Sequence, residues 1–318
     1  MHPVLKLLTQ RIALSLILLL MISVLIFAGT MILPGDVAQS ILGQSATPEA
    51  LENLRAELGL NDPPVTRYFQ WFFGALQGDL GTALTSGQDI TSAIGSRLSN
   101  TLFLAFWAAL IAVPLAIFLG LLSVRYKDRW PDKLISGVTL ASISIPEFLI
   151  GYVLMYLVAV KLRWFPSVAM INDSMNLWQK LNSIALPVAV LTLVVLAHMM
   201  RMTRAAILNV MQSAYIETAE LKGLSTFKVI WRHAFPNSIA PIVNVVMLNL
   251  AYLVVGVVVI EVVFVYPGMG QYLVDHVSKR DVPVVQACGL IFAAVYIGLN
   301  MVADIVSILS NPRLRHPK

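Results

Sequence analysis

Six long apolar stretches separated by polar breaks organise the chain: 12–35, 98–124, 134–160, 181–200, 239–260 and 282–312. Four carry no charge, the third carries only Glu147, and the last carries only Asp304. A bilayer-crossing helix needs roughly 20 mostly apolar residues, so each stretch predicts one span. Trimmed to their polar edges, the expected spans are 12–33, 101–124, 134–160, 182–200, 239–262 and 284–309. The expected fold is an all-α membrane protein of six transmembrane helices forming a single domain over residues 1–318.

Six crossings leave both ends on one side, and basic residues decide which. Of the 22 Lys and Arg, 14 fall at the N-terminus, in 125–133, in 201–238 and in the C-terminal tail, and 8 fall in the alternate breaks. The richer side is cytoplasmic, giving an N-in, C-in topology. The first apolar run exceeds the 7–15 residues of a signal core and leads into "MILPGD" instead of a small-residue cleavage site, so it reads as an uncleaved anchor.

Composition agrees: 58% of residues are hydrophobic and 12% charged, against roughly 25% charged in a soluble domain. The net charge of +5 does not signal nucleic acid, because the basic residues are scattered over short loops at span ends. A lone cysteine, Cys288, excludes an intrachain disulfide.

Two polar breaks are too long to be plain connectors. In the external segment 36–97, Thr47 and Pro48 begin a predicted helix, Leu51, Leu54 and Leu58 share its face, and Gly59 ends it. Tyr68, Phe69, Trp71, Phe72 and Phe73 follow, as aromatics at a membrane–water boundary do. Sealing the outer face of the bundle and docking an external partner both fit this segment.

The cytoplasmic break 213–238 predicts two short helices. The first ends at Gly223, which can adopt a left-handed conformation, and Ser225 caps the second. Phe227, Trp231 and Ala234 follow at i, i+4, i+7 on one face, and Pro236 disturbs any continuation. Large exposed aromatics in the cytoplasm require lipid or a protein partner.

Ionisable and polar side chains inside spans are costly and face the interior by default. Glu147, Asn244, Asn249, Glu261 and Asp304 are therefore the translocation-path candidates, against a purely structural role in bonding helices together. The "YPGMG" turn places Pro267, Gly268 and Gly270 at an outer gate or in a simple turn. Three methionines in "HMMRMTR" (198–204) are better explained by packing than by a metal, and no metal site is expected. The phosphate-binding pattern G-x-x-x-x-G-K-[ST] does not occur, nor does a catalytic constellation, so the chain reads as a transport subunit and not an enzyme. An ion-coupled secondary transporter would show two similar halves with interrupted spans, and no internal repeat is visible.

Residues 217–236 carry a resemblance. Glu217-Thr218-Ala219, three residues, Gly223, nine residues, then His233-Ala234-Phe235-Pro236 resembles the coupling loop of ATP-binding-cassette (ABC) importer permeases. Thr218, His233 and Phe235 depart from the commonest pattern, and Arg232-His233-Ala234 with Asn237 resembles the dipeptide, oligopeptide and nickel group. "TPEALENLRAELGLNDPP", "QGDLGTAL", "ASISIPEFLIG", "IEVVFVYPGMG", "RDVPVVQA" and "NPRLR" extend the similarity to the first of that group's two permease subunits.

The resemblance implies a type I importer permease bundle in the bacterial inner membrane, paired with a second, homologous but different permease. It implies two ABC ATPase subunits carrying ATP and Mg, no cofactor on this chain, and an extracytoplasmic solute-binding protein. Glu217, Thr218, Ala219, Gly223, Phe227, Trp231, His233 and Pro236 would form the ATPase-coupling loop. The implied cargo is a peptide or related small solute. A nickel chelate or another non-peptide solute is the alternative.

Overall fold

In lipid, a spanning segment must satisfy its backbone N–H and C=O groups internally, which drives the apolar runs into helices. The computed structural model describes residues 3–32, 37–43 and 46–310. Five uninterrupted helical stretches among them are long and apolar enough to cross a membrane: 8–32, 90–125, 177–211, 226–263 and 282–306. In chain order the helices are α1 (Pro3–Ile32), α2 (Val37–Leu42), α3 (Pro48–Glu57), α4 (Pro64–Leu76) and α5 (Ile90–Arg125). They continue with α6 (Trp130–Ser144), α7 (Glu147–Leu154), α8 (Leu177–Met211), α9 (Ala214–Leu221), α10 (Thr226–Val229), α11 (Phe235–Val263), α12 (Met269–Ser278) and α13 (Val282–Ser310). The "NPRLR" stretch, the basic C-terminal tail and residues 33–36 lie outside the described residues.

The stretch expected to form one span over 134–160 is instead broken. Helices α6 and α7, the latter extended by a π turn over Met155–Lys161, meet at 101°. Ile145 at the break is extended, with φ −96° and ψ 129°, because the Pro146 ring disfavours helical backbone at the residue before it. Together the two arms account for the sixth crossing as a bent pair.

The centre of the bundle is the contact between α5 and α8. Ala108, Ala112, Ala116 and Gly120 recur every four residues on α5 and are all buried. Small residues at this spacing let two helices approach closely. A Cβ on Gly120 would stand 2.9 Å from Thr203 Cγ2 on α8, so glycine is needed there for space. Leu104, Ile184, Val190, Met199 and Met200 fill the surrounding core with almost no exposure.

Helix α1 lies at the edge of the bundle against α13, with Ile26 packed over Gly289. Its other apolar side chains, such as Leu16, Leu18 and Leu25, are exposed, as befits a lipid-facing helix. The outer segment behaves as its sequence predicts. Thr47 caps α3 by accepting from the Ala50 amide at 3.3 Å, and Gly59 has φ +63°. On α4, the Tyr68 hydroxyl lies 2.9 Å from Ser23 Oγ, and its ring stacks on Phe72 at 5.7 Å, tying the aromatic belt to α1.

Asp89 caps α5, accepting from the Ser92 amide at 2.8 Å, and that bond lowers the carboxyl's pKa below its ordinary value. A lowered folded-state value means the cap's stabilisation is present above the unfolded pKa and is lost as pH falls through the folded one.

Candidate functional site: the cytoplasmic corner and the outer clasp

The cytoplasmic corner is built where α8 hands over to α9. Gly223 ends the first corner helix with φ +79°, and a Cβ there would meet no atom within 4 Å. The requirement for glycine is therefore one of backbone conformation. Ile216 and Ala219 bury the inner face of α9 against α5 and α8 residues, while Glu217 and Thr218 face outward with Tyr215 and Leu221. The Thr218 hydroxyl donates to the Ala214 carbonyl four residues back at 2.9 Å, so it is satisfied within its own helix.

The second corner helix is disturbed ahead of Pro236, as expected, but it does not stop. It passes from α10 through a π turn, Ile230–Ala234, directly into α11. The Phe235 amide bonds the Ile230 carbonyl, five residues back. This widened turn accommodates Pro236, which brings a ring and no N–H.

The same turn rotates the side chains away from the expected face. Ala234 is fully buried, whereas Phe227 and Trp231 are 49% and 47% exposed. The third member of their row is Phe235, at i+8 from Phe227; the ring centroids step from Phe227 to Trp231 by 6.3 Å and on to Phe235 by 5.5 Å. His233 is half-buried, and its carbonyl accepts from Asn237 Nδ2 at 2.7 Å.

An ion pair absent from the sequence reading braces this corner. Arg204, two turns before the end of α8, donates from Nη2 to Asp132 Oδ2 at 2.7 Å and from Nε to Oδ1 at 3.0 Å. The Ser123 hydroxyl and the Asp128 amide donate to the same carboxylate. One buried aspartate thus joins α5, α6 and α8 where the corner begins.

At the outer end, Glu261 does not stand in an open path as expected of a path candidate. It is fully buried and accepts from Thr101 Oγ1 at 2.6 Å, the Gly270 amide at 2.7 Å and the Gln271 amide at 3.2 Å. Thr101 also takes the Met269 amide, Asn100 Nδ2 donates to the Pro267 carbonyl, and the Tyr266 hydroxyl donates to the Asn100 carbonyl. These bonds clasp the start of α12 to α5 and α11. The carboxylate sits at the N-terminus of α12, where backbone donors and helix polarity favour negative charge.

Gly268 and Gly270 are explained by this clasp. A Cβ on Gly268 would fall 2.0 Å from Glu261 Oε1, and one on Gly270 would fall 2.6 Å from Val258 Cα. Nearby, the buried Asp281 accepts from the Leu84 and Thr85 amides and the Thr85 hydroxyl, pinning the outer segment to the α12–α13 junction.

The other path candidates separate. Asp304 pairs with Arg11 at 2.9 Å, linking α13 to α1 toward the cytoplasmic end. Asn249 is buried and donates to the Val245 carbonyl of its own helix at 2.8 Å. Asn244 is half-buried on α11. Glu147 is half-buried at the start of α7, beside the break, within electrostatic reach of Tyr252 on α11. Of the five, only the Glu147 and Asn244 side chains have no hydrogen bond or ion pair among the described residues.

Residues 112–316 match the family model described as binding-protein-dependent transport system inner membrane component, and residues 4–105 match its N-terminal companion. The chain belongs to this family. It is accordingly a multi-pass permease subunit of the bacterial inner membrane. A Brucella abortus (strain 2308) protein named as a candidate peptide transport system permease is 35% identical over 98% of this chain and 99% of its own length. The glutathione transport system permease protein GsiC of Escherichia coli (strain K12) is 35% identical over 94% of this chain and 95% of its own. Among solved structures, an inward-facing MetNI methionine ABC transporter chain aligns with TM-score 0.48 and 15% identity, covering 68% of this permease and 95% of the solved chain.

Proposed function

We propose that this permease forms half of the membrane pathway of an ABC importer for peptides or peptide-like solutes, with the corner at Gly223 as its grip on a separate ATPase. The observation carrying this reading is the left-handed Gly223 between α9 and α10, which presents Glu217, Tyr215 and Leu221 outward on the cytoplasmic side. An exposed apolar pair beside a carboxylate, on a helix braced to the bundle from below, suits a protein surface that pushes on it. Energy would reach the spans through α8 and α11, the long helices on either side of the corner. The names of the Brucella and Escherichia relatives support a peptide-sized cargo. A second, homologous permease chain would complete the pathway, and an extracytoplasmic binding protein would deliver solute to the outer face.

The test is Gly223→Val. A β-branched residue strongly disfavours φ near +79°, so the two corner helices lose their angle while no neighbour is struck. The expected result is normal insertion and amount, with co-purification of the ATPase chains and uptake of labelled peptide falling together by tenfold or more. Retention of both at wild-type levels would sink the proposal.

A further inference from the structure

A trough of about 390 Å³ lies between the cytoplasmic third of α5 and the α10–π turn–α11 junction. Pro114, Ile117 and Phe118 form one wall, Phe227, Trp231 and Phe235 the other, and Arg125 is the one charged residue lining it. The Arg125 guanidinium lies 5.1 Å from the Phe227 ring centroid and 5.3 Å from that of Tyr126. Among the described residues, no carboxylate pairs with it.

The trough continues onto an exposed face of α5. On α5, Leu110, Pro114 and Phe118 follow at four-residue spacing and Arg125 two turns further on, all exposed, with Leu121 and Leu122 lining the trough between them. An apolar track therefore runs from mid-span to a cation at the cytoplasmic boundary. Lys127 and Arg129 just beyond α5, and Lys228 and Arg232 on the opposite wall's helix, are exposed and add positive field. Asp132, the nearest buried carboxylate in sequence, is already taken by Arg204.

We infer that this trough is a binding site for one anionic phospholipid of the inner leaflet, with an acyl chain along Phe118 and Ile117 and the phosphate at Arg125. The chemistry fits at both ends. A dry, aromatic-walled cleft of this size holds an apolar tail, and an unpaired guanidinium braced on two rings offers forked donors to a phosphate. Trp231 and Phe227 sit at the headgroup boundary, where aromatic side chains accumulate, and basic pockets between spans on this side select anionic headgroups. The inference goes beyond the ATPase reading and reassigns two residues. Phe227 and Trp231 face lipid, which leaves the outward face of α9 for the ATPase.

The test uses the full-length permease in vesicles of phosphatidylcholine doped with brominated lipid, reading tryptophan quenching. The Trp231 signal is the difference between wild type and Trp231→Phe. Brominated phosphatidylglycerol is expected to quench that signal about fivefold more effectively than brominated phosphatidylcholine, the preference one basic residue confers near an anionic headgroup. Arg125→Gln should erase the preference. Ile117→Trp, which fills the trough and leaves the cation in place, should reduce occupancy by both lipids, read by native mass spectrometry of bound lipid.

Equal quenching by the two lipids, or a preference that survives Arg125→Gln, overturns the proposal. So does a photo-crosslinker at position 231 that captures an ATPase or second permease in the assembled transporter instead of lipid. Because the purified permease is read without its ATPase, failure here and failure of the Gly223 test are distinguishable.

Discussion

Replacing Arg204 with methionine is expected to destabilise the permease by about 3 kcal/mol. Asp132 is 4% exposed and would be left charged, with the Ser123 hydroxyl, the Asp128 amide and a long bond from the Ser136 hydroxyl for partners. Breaking a buried pair from one side leaves an uncompensated charge, which costs more than the pair contributes. The partial exposure of Arg204, 25% of its side chain, keeps the estimate at the low end of the usual range. The double variant Arg204→Met, Asp132→Leu should recover most of the loss, since two apolar groups can replace a buried ion pair at little cost. The measurement is a double-mutant cycle on thermal unfolding in detergent. Additive losses would mean that the pair is not coupled, and that α8 is held by its apolar contacts alone.

This ion pair also marks the limit of what the sequence discloses. Features written in neighbouring residues were legible: the Thr47 cap, the left-handed Gly223, the aromatic run on α4 and the spans themselves. Each depends on a few consecutive residues and their backbone preferences. Arg204 and Asp132 are separated by 72 positions, and Glu261 reaches Thr101 across 160. Nothing local announces such partners, so Glu261 and Asp304 read as lone charges in apolar runs, whereas both are paired or bonded.

Two local features were misread for another reason. At Pro146 a break and a mild kink share one sequence signal, and packing decides a 101° bend. At Pro236 the helix survives through a π turn, and the extra residue moves Ala234 inward and recruits Phe235 to the aromatic row. Counting i, i+4, i+7 selects Ala234, whereas i, i+4, i+8 is as much a helical face and selects Phe235; the π turn decides between them. The Ala108-Ala112-Ala116-Gly120 stripe, in contrast, was available to a four-residue search, and its spacing locates the α5–α8 contact.

The outer clasp gives the second large effect. Gly268→Ala is expected to reduce solute uptake by tenfold or more while leaving the proposed ATPase contact at the Gly223 corner intact. The backbone at 268 has φ −96° and ψ −179°, which any residue adopts, so strain in the turn is not the cause. Space is the cause, because the new methyl would stand 2.0 Å from Glu261 Oε1. The acid would have to leave Thr101 and the Gly270 and Gln271 amides, three hydrogen bonds worth about 0.5–1.5 kcal/mol each before any rearrangement. Helix α12 would then lose the tether that holds it to α5, and protease cleavage within 264–281 should accelerate. Shortening the acid as well, in Gly268→Ala with Glu261→Ala, removes the collision but not the loss of the tether, so both the faster cleavage and the lost uptake should persist. If Gly268→Ala alone transports normally and resists protease as wild type does, the carboxylate has room to move aside. The clasp would then be a packing detail, and α12 would be held to the bundle chiefly by its apolar contacts with α13 through Tyr272, Met269 and Cys288.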